Sequence, residues 1–438
     1  MTHPVQAPSA RRSWTIGIIG GMASYIDAAA LVTIGTALVI YQQSLDISAA
    51  EIGVLSGTVT LGVAAGSLVG GRLGDRFGRR SVFIATMAIV MLGSALLTFG
   101  TTFPVLLVGV VVIGVATGSD LPVSLATISE AATDKNRGAL IGMSSVLWVV
   151  GIVAVMIIAA LVGDSGHIGG QILFAHVGVV AALVLVARLF VPESRSWVNA
   201  KAARTGVGAE AKIGFRALVA RGYRGPLIAL LLFYTLTNVA ANTNGQFNTF
   251  IAVNHAGLSV AIAAQIGLVT LPVAVLAGLL FMRVVDTRFR MLFYAIGALC
   301  FVAAYAVPTV FGFSAVTIIA MGVLSGIGTS LAFEGIMKVW TQESFPTMAR
   351  ATAQGAIIAV ARVVSALVAF VTPLLLSAGP QVMYATLTVL VAGGTLIGWL
   401  GFRRPRLTEF EMDKLGEAEA PVATEAQASA YLSGHRSR

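Results

Sequence analysis

Residues Glu51 to Arg80 read EIGVLSGTVTLGVAAGSLVGGRLGDRFGRR. Its first part is almost wholly apolar, and its last ten residues hold four arginines and one aspartate. An α-helix rises about 1.5 Å per residue, so about 20 apolar residues are enough to cross the hydrocarbon core of a bilayer. The stretch therefore predicts a membrane-spanning helix that leads into a basic loop.

The composition of the whole chain supports the same interpretation. Apolar residues make up 57% of the 438 residues and charged residues 11%, and the mean hydropathy is +0.90. A water-soluble domain usually carries about 25% charged residues. A chain of this composition would expose too much apolar surface in water, which excludes an ordinary soluble protein and predicts an integral membrane protein.

Twelve apolar runs are long enough to span a membrane, and they predict an all-α integral membrane protein with two six-helix bundles. The runs cover residues 14–41, 51–74, 81–100, 104–130, 138–163, 170–191, 225–252, 260–284, 291–310, 313–340, 351–377 and 381–402. We therefore divide the chain into an N-terminal bundle (1–191), a polar linker (192–224), a C-terminal bundle (225–402) and a tail (403–438) that we expect to be disordered.

The basic residues predict the orientation. Lys and Arg concentrate in cytoplasmic loops, and here they lie between spans 2 and 3, 4 and 5, 6 and 7, 8 and 9, and after span 10. The alternate loops, near 42–50, 101–103, 164–169, 253–259, 308–312 and 378–380, contain no Lys or Arg. We expect both termini to be cytoplasmic, in a plasma membrane and most simply a prokaryotic inner membrane, since the first apolar run is too long for a cleavable signal peptide.

Several functional classes find no support in the sequence. The net charge of +9 follows the loop pattern, so we read it as a topology signal and not as a nucleic-acid footprint. One cysteine, Cys300, excludes a disulfide framework, and five scattered histidines show no metal-ligand spacing. We expect no metal, no cofactor and no enzyme activity, because the spans hold no nucleophile–base set. A non-transporting receptor is a further alternative. It would be expected to lose the membrane carboxylates or to add a signalling domain, and this sequence does neither.

The two halves resemble each other. Three charged landmarks of the first half recur in the second at offsets of 211 to 213 residues: Asp75 and Asp286, Glu130 and Glu343, Arg137 and Arg350. Such duplication is common in transporters, in which two repeats move around a substrate site near the midplane of the membrane.

Several motifs now resemble a known family. The pattern Gly71-x-x-x-Asp75-Arg76-x-Gly78-Arg79-Arg80 resembles the loop between helices 2 and 3 of the major facilitator superfamily. The motifs Pro192-Glu193-Ser194-x-x-Trp197 and Glu343-x-Phe345-Pro346-x-x-x-Arg350 resemble its sugar-porter and metabolite–proton symporter branches, and Gly118-Ser119-Asp120-Leu121-Pro122 resembles helix 4 of its phosphate and organic-acid symporters. Departures in span 7, and Lys338 in place of an aromatic residue, speak against a plain hexose transporter.

The resemblance, which covers residues 14–402, implies a gate formed by charges on the cytoplasmic side. We assign this role to the motif residues and their repeat counterparts; the alternative is that they are ordinary topology charges. The set is Gly71, Asp75, Arg76, Gly78, Arg79, Glu130, Arg137, Asp286, Arg290, Glu343 and Arg350. Glycines recur every fourth residue in span 2, at 62, 66, 70 and 74, which predicts close helix packing and would also permit sliding.

Two carboxylates lie within predicted spans, Asp27 in span 1 and Asp120 in span 4. An ionisable group inside a membrane costs about 2.5–3.5 kcal/mol on insertion scales, so each is a candidate functional residue. We predict that one or both carry the coupling proton; the alternative is a structural hydrogen bond or a buried ion pair. Arg188, near the end of span 6, is expected to extend its charge to the membrane surface.

Polar residues in spans 7, 10 and 11 are candidate substrate ligands. Thr235, Asn238, Asn242, Gln246 and Thr249 are spaced to form one helical stripe, and amides suit a ligand rich in hydroxyls. From it we select Asn238, Asn242 and Gln246; the alternative is polar contact between helices. Glu334 and Lys338 either neutralise each other or bind an anionic or hydroxyl group. Arg362 either contacts an anion or pairs with an acid.

The leading hypothesis is a proton-coupled importer of a small hydroxylated metabolite, such as a sugar, a polyol or a sugar acid. The alternative is a proton symporter of a small carboxylate. A facilitator and a drug exporter are less favoured, the exporter because the motifs after spans 6 and 10 resemble uptake proteins. The expected partners are a small-molecule substrate, protons and the lipid bilayer, with the protein acting as a monomer.

Overall fold

The computed structural model describes residues 10–131, 137–193, 223–345 and 347–403. These residues form thirteen helices: α1 Ala10–Ser44, α2 Ala49–Phe77, α3 Arg79–Phe99, α4 Phe103–Ala131, α5 Arg137–Val162, α6 His167–Leu189, α7 Arg224–Asn254, α8 Val260–Val284, α9 Arg290–Phe311, α10 Ala315–Ala332, α11 Glu334–Ser344, α12 Thr347–Ala378 and α13 Pro380–Phe402. Most of the predicted linker and the predicted tail lie outside the described residues.

The helices confirm the twelve predicted spans. Eleven stretches of described helix are long and apolar enough to cross a membrane, and α5 supplies a twelfth apolar stretch, Val146–Val162. The tenth span was predicted as one run over 313–340, which is wrong in detail, because it breaks at Phe333 into α10 and α11. Phe333 has φ −134° and ψ −116°, and its ring stacks on Tyr234 and meets the edge of Phe301, so contacts with other helices accompany the break.

Within the first half, α2 and α4 pack backbone to backbone. A Cβ atom added at Gly62, Gly66 or Gly70 would lie against main-chain atoms of α4 around Val115 and Ser119. The glycine stripe is therefore a close packing surface, as predicted. In the second half α8 packs on α10, and α7 packs on α12 and α13.

The two halves meet mainly through three helix pairs, α1 with α7, α2 with α12, and α5 with α8. We call the end of the bundle where α1 begins and α6 ends the linker face, and the opposite end, formed by the connections 45–48, 100–102, 163–166, 255–259, 312–314 and residue 379, the loop face. The contacts between halves include Thr36 with Thr249 and Gly53 and Gly57 with Phe370. All of these lie in the part of the helices nearer the loop face.

Candidate functional site

Asp120 and Arg188 form a buried ion pair between α4 and α6. The Arg188 Nη1 donates to Asp120 Oδ1 at 2.5 Å and Nη2 donates to Oδ2 at 2.7 Å. Arg188 is 0% exposed and Asp120 1%. The prediction that Arg188 extends to the membrane surface is wrong, since a carboxylate within reach stabilises its charge inside the bundle.

The surroundings of this pair add further hydrogen bonds. The hydroxyl of Thr86 donates to Asp120 Oδ1 at 2.6 Å, and that of Ser124 donates to Oδ2 at 3.3 Å. The guanidinium also donates to the carbonyl of Phe83 at 2.7 Å and lies 3.6 Å from the centroid of its ring. Both oxygens of Asp120 are thus occupied by donors that belong to the first half.

Asp27 has different surroundings. It is 4% exposed, and the indole of Trp148, on α5, favours its carboxylate form. The strongest attraction to its negative charge comes from Arg362, on α12 of the other half. No acid–base pair closer than 4.0 Å involves Asp27 in the part of the chain that the structure describes. Its interaction with a cation therefore acts at longer range and across the two halves.

The charge of Arg362, on α12, acts on polar groups of both halves. Its side chain is partly exposed, and its charge acts on Asp27, Glu334 and Tyr234. Among the described residues it forms no ion pair within 4.0 Å. The guanidinium is therefore the candidate anion contact that the sequence predicted, and it has not been neutralised by a direct acidic neighbour.

Glu334 and Lys338 pair with each other at the start of α11. Lys338 Nζ lies 2.6 Å from Glu334 Oε1, and the two side chains are 44% and 49% exposed. The hydroxyl of Tyr234 donates to Glu334 Oε2 at 3.3 Å. The opposite face of α11, with Met337 and Trp340, is buried. Of the two alternatives drawn from the sequence, the structure shows the self-paired one, on a side of the helix that faces open space.

The polar stripe of α7 is partly used in contacts between helices. Gln246 Nε2 donates to Thr60 of the first half at 2.7 Å and to Asn242 Oδ1 at 3.0 Å. Ser365 donates to Asn238 Oδ1 at 2.8 Å. Asn242 Nδ2 and Gln246 Oε1 are buried and have no hydrogen-bond partner among the described residues. The Thr235 hydroxyl of the stripe is likewise buried without a partner among the described residues. The stripe thus keeps an amide donor and an amide acceptor four residues apart, and one hydroxyl, that make no hydrogen bond with the described residues.

The predicted gating residues lie at the linker face. Arg290 Nη1 donates to Glu343 Oε2 at 2.9 Å, and its Nε donates to the carbonyl of Val285, so the partner of Arg290 here is Glu343, while Asp286 is exposed. Gly78 has φ 98° between α2 and α3, a region that favours glycine. Arg76 lies 5.3 Å from the ring centroid of Phe77.

The remaining gating residues are described only in part. Arg79 reaches the surface of α2 at Gly74, where an added Cβ would lie 2.9 Å from its Nη1. The surroundings of five others lie outside the described residues: Gly71, Asp75, Glu130, Arg137 and Arg350.

Sequence reasoning missed three partners of the site: Arg188 for Asp120, Trp148 near Asp27, and Tyr234 for Glu334. The last two have no signal in the sequence, because aromatic residues are ordinary in apolar spans. Arg188 does have a signal in the sequence. A basic residue in an apolar run indicates a buried acidic partner as readily as a side chain that extends to the membrane surface.

The sequence is similar to a large family of membrane proteins. Residues 17–367 match the family model described as Major Facilitator Superfamily. The chain is 30% identical over 394 residues to the minor myo-inositol transporter IolF of Bacillus subtilis (strain 168), covering 87% of this chain and 89% of the relative. It is 32% identical over 205 residues to the inner membrane metabolite transport protein YgcS of Escherichia coli (strain K12), covering 47% of this chain and 44% of the relative.

Solved structures show the same fold. A D-xylose-proton symporter superimposes with a TM-score of 0.74 at 18% identity, covering 89% of this chain and 98% of that chain. An inward open structure of the xylose transporter XylE from E. coli gives 0.73 at 17% identity, covering 92% and 98%. With the twelve spans and the family match, these comparisons identify a multi-pass membrane transporter of small molecules that is similar to sugar porters: the chain belongs to the major facilitator superfamily.

Proposed function

We propose that this protein imports a small hydroxylated metabolite, a sugar, a polyol or a sugar acid, together with a proton by alternating access. The observation that carries the substrate class is the pair of unpartnered amide atoms on α7, Asn242 Nδ2 and Gln246 Oε1. A buried donor and a buried acceptor without partners are costly, and a polyhydroxylated ligand supplies both. That the relative covering most of the chain is a myo-inositol transporter supports the same class.

The proposal also includes the orientation of the chain in the membrane. We infer that the linker face is cytoplasmic and the membrane is a plasma membrane, since the linker-face loops carry the Lys and Arg residues. The contacts between halves then close the outer side of the bundle. On this inference the conformation holds its site open toward the cytoplasm, and the protein works as a monomer.

The proposed substrate ligands come from the second half. Asn238, Asn242 and Gln246 would bind hydroxyls from α7, and Glu334 and Lys338 would bind them from α11. The two charged side chains neutralise each other, so they can exchange hydrogen bonds with a neutral ligand without leaving a net charge. Arg362 extends the site toward Asp27.

Asp27 fits the role of proton carrier best. Its carboxylate has no direct cationic partner among the described residues, and its attraction to Arg362 crosses the two halves. Protonating it would therefore change the attraction between the halves, which is what coupling requires. Asp120, by contrast, would have to give up two bonds from Arg188 to accept a proton. We therefore assign the proton to Asp27 and a structural role to Asp120.

We propose that the linker-face charges form the gate on the cytoplasmic side. Arg290 and Glu343 pair within the second half, and the motif residues around Gly78 occupy the corresponding corner of the first half. Closing the linker face would bring these two corners together. In this proposal the corner residues exchange partners between the open and closed states.

A second candidate function, proton symport of a small carboxylate, is favoured by one observation. Arg362 is partly exposed and lacks an ion pair within 4.0 Å among the described residues, so it could bind an anionic group directly.

The experiment that tests the proposal measures external pH in lightly buffered proteoliposomes after separate additions of a polyol and sugar pool and a small-carboxylate pool. We expect alkalinisation with the first pool, absent from protein-free vesicles. Alkalinisation with the carboxylate pool alone would support the second candidate. Equilibration of labelled solutes with no change in pH would overturn proton coupling.

A further inference from the structure

The helices α2 and α8 begin at corresponding points of the internal repeat, but they are capped differently. Ser48 and Ser259 are 211 residues apart, and each accepts a hydrogen bond from the amide three residues on, at 3.2 and 3.3 Å. In α2, Glu51 Oε2 also accepts from the amide of Ser48 at 2.8 Å, which completes a capping box. The corresponding residue of α8 is Ile262, so α8 has no acid of its own at this position.

The acid at the start of α8 comes from the other half of the molecule. Asp164, in the connection between α5 and α6, accepts a hydrogen bond from the amide of Ala261 at 3.1 Å. Its negative charge lies at the positive end of the α8 dipole, where a carboxylate is stabilising. The contact therefore links the first half to the second at the loop face.

A glycine beside Asp164 permits this close approach. Gly163 is buried. A Cβ atom there would meet first the carbonyl oxygen of Ala159 in its own half, and would lie 2.8 Å from Val260 Cγ1 and 3.2 Å from the amide nitrogen of Ala261 in the other half. We call the contact of Gly163 and Asp164 with Val260 and Ala261 the loop-face latch. A side chain at 163 would therefore clash with the end of α5 itself and with the start of α8.

We propose that the loop-face latch is the gate that keeps the loop face closed and that Asp164 is its charged element. The inference rests on the proposed alternating access. When the halves separate at the loop face, the amide of Ala261 loses its acceptor, whereas α2 keeps Glu51 in every conformation. The latch thus stabilises the state that is open at the linker face, and neither Gly163 nor Asp164 belongs to the motifs that carry the family resemblance.

The test is the accessibility of a cysteine buried between the halves. Thr36 is 5% exposed and lies 3.4 Å from Thr249 of the other half. Thr36→Cys, in a Cys300→Ala background, would be labelled in detergent solution by a water-soluble maleimide. We expect Asp164→Ala to raise the labelling rate about threefold, the size of effect expected for a carboxylate at an exposed helix start. Gly163→Leu should raise it further.

The matched control is Glu51→Ala, which removes the capping acid of α2 without touching the other half. It should leave the labelling rate of Thr36→Cys at the parent value. An equal rise in Glu51→Ala and Asp164→Ala, or no rise in Asp164→Ala, would overturn the latch.

A second variant separates a latch from a local helix cap. Ile262→Glu gives α8 the capping box that α2 has, and Ile262 is 45% exposed in the first turn of the helix, so a longer side chain fits there. In the Asp164→Ala background, Ile262→Glu should restore thermal stability and leave labelling fast. If labelling returned to the parent rate, Asp164 would act only as a cap of α8 and not as a latch between the halves. The assay needs neither substrate nor proton gradient, so its failure is distinct from a failure of the transport proposal.

Discussion

The molecule contains two acid–arginine combinations that differ in where their members lie. Asp120 and Arg188 belong to the same half and bond directly at 2.5 and 2.7 Å, with both side chains buried. Asp27 and Arg362 belong to different halves and interact at longer range. Helices of one half can hold a buried pair closed permanently. If the halves move as proposed, an interaction that crosses them changes with each movement. We therefore propose that Asp27 and Arg362, and not Asp120 and Arg188, couple protonation to that movement.

The largest expected effect on stability follows from breaking the first pair. Arg188→Leu leaves the carboxylate of Asp120 buried without its cation, which typically costs about 3–5 kcal/mol. We expect a large fall in the thermal unfolding temperature in detergent, measured by tryptophan fluorescence. Arg403→Leu, at an exposed position after α13, is the control and should unfold like the parent. An Arg188→Leu variant as stable as the parent would show that the pair is not structural.

Removing both members of that pair should undo most of the loss. In Asp120→Leu/Arg188→Leu no buried charge is left unpaired, and replacing a buried ion pair by apolar residues is often neutral. We expect the double variant to unfold closer to the parent than to the single variant, in the same assay. A double variant as unstable as the sum of two single losses would mean that the two side chains act independently.

The second pair should behave differently. Arg362→Leu removes a partly exposed side chain that has no ion pair within 4.0 Å among the described residues, so we expect its stability to change by less than about 1 kcal/mol. Its transport activity should fall strongly while the unfolding temperature stays near that of the parent. A loss of stability like that of Arg188→Leu would erase the distinction between the two pairs.

The smallest expected effect concerns the third pair, Glu334 and Lys338. Their side chains are 44% and 49% exposed, and exposed i, i+4 pairs contribute only about 0.3–0.5 kcal/mol. Glu334→Gln/Lys338→Gln should therefore unfold like the parent, while the half-saturating substrate concentration in uptake rises. An unchanged value would remove this pair from the substrate site.

The contrast also shows what the sequence can and cannot predict. The spans followed from hydrophobic runs, and the Glu334–Lys338 contact followed from helical spacing, because both are local. The partner of Asp120 is 68 residues away, and nothing in an apolar run indicates which acid a distant arginine will meet. The break at Phe333 is accompanied by contacts with rings from two other helices, and such distant contacts cannot be predicted from the sequence around Phe333. The glycine stripe was predictable as a packing surface, but its partner helix was not.

The assignment of the coupling proton to Asp27, and not to Asp120, is tested most directly by comparing proton coupling in two variants. Asp27→Asn and Asp120→Leu/Arg188→Leu would be reconstituted in lightly buffered proteoliposomes and given the solute pool that alkalinises the medium with the parent protein. We expect alkalinisation with Asp27→Asn to fall to the level of protein-free vesicles, while the double variant still alkalinises the medium. Alkalinisation by Asp27→Asn together with its loss in a folded double variant would instead assign the proton to Asp120.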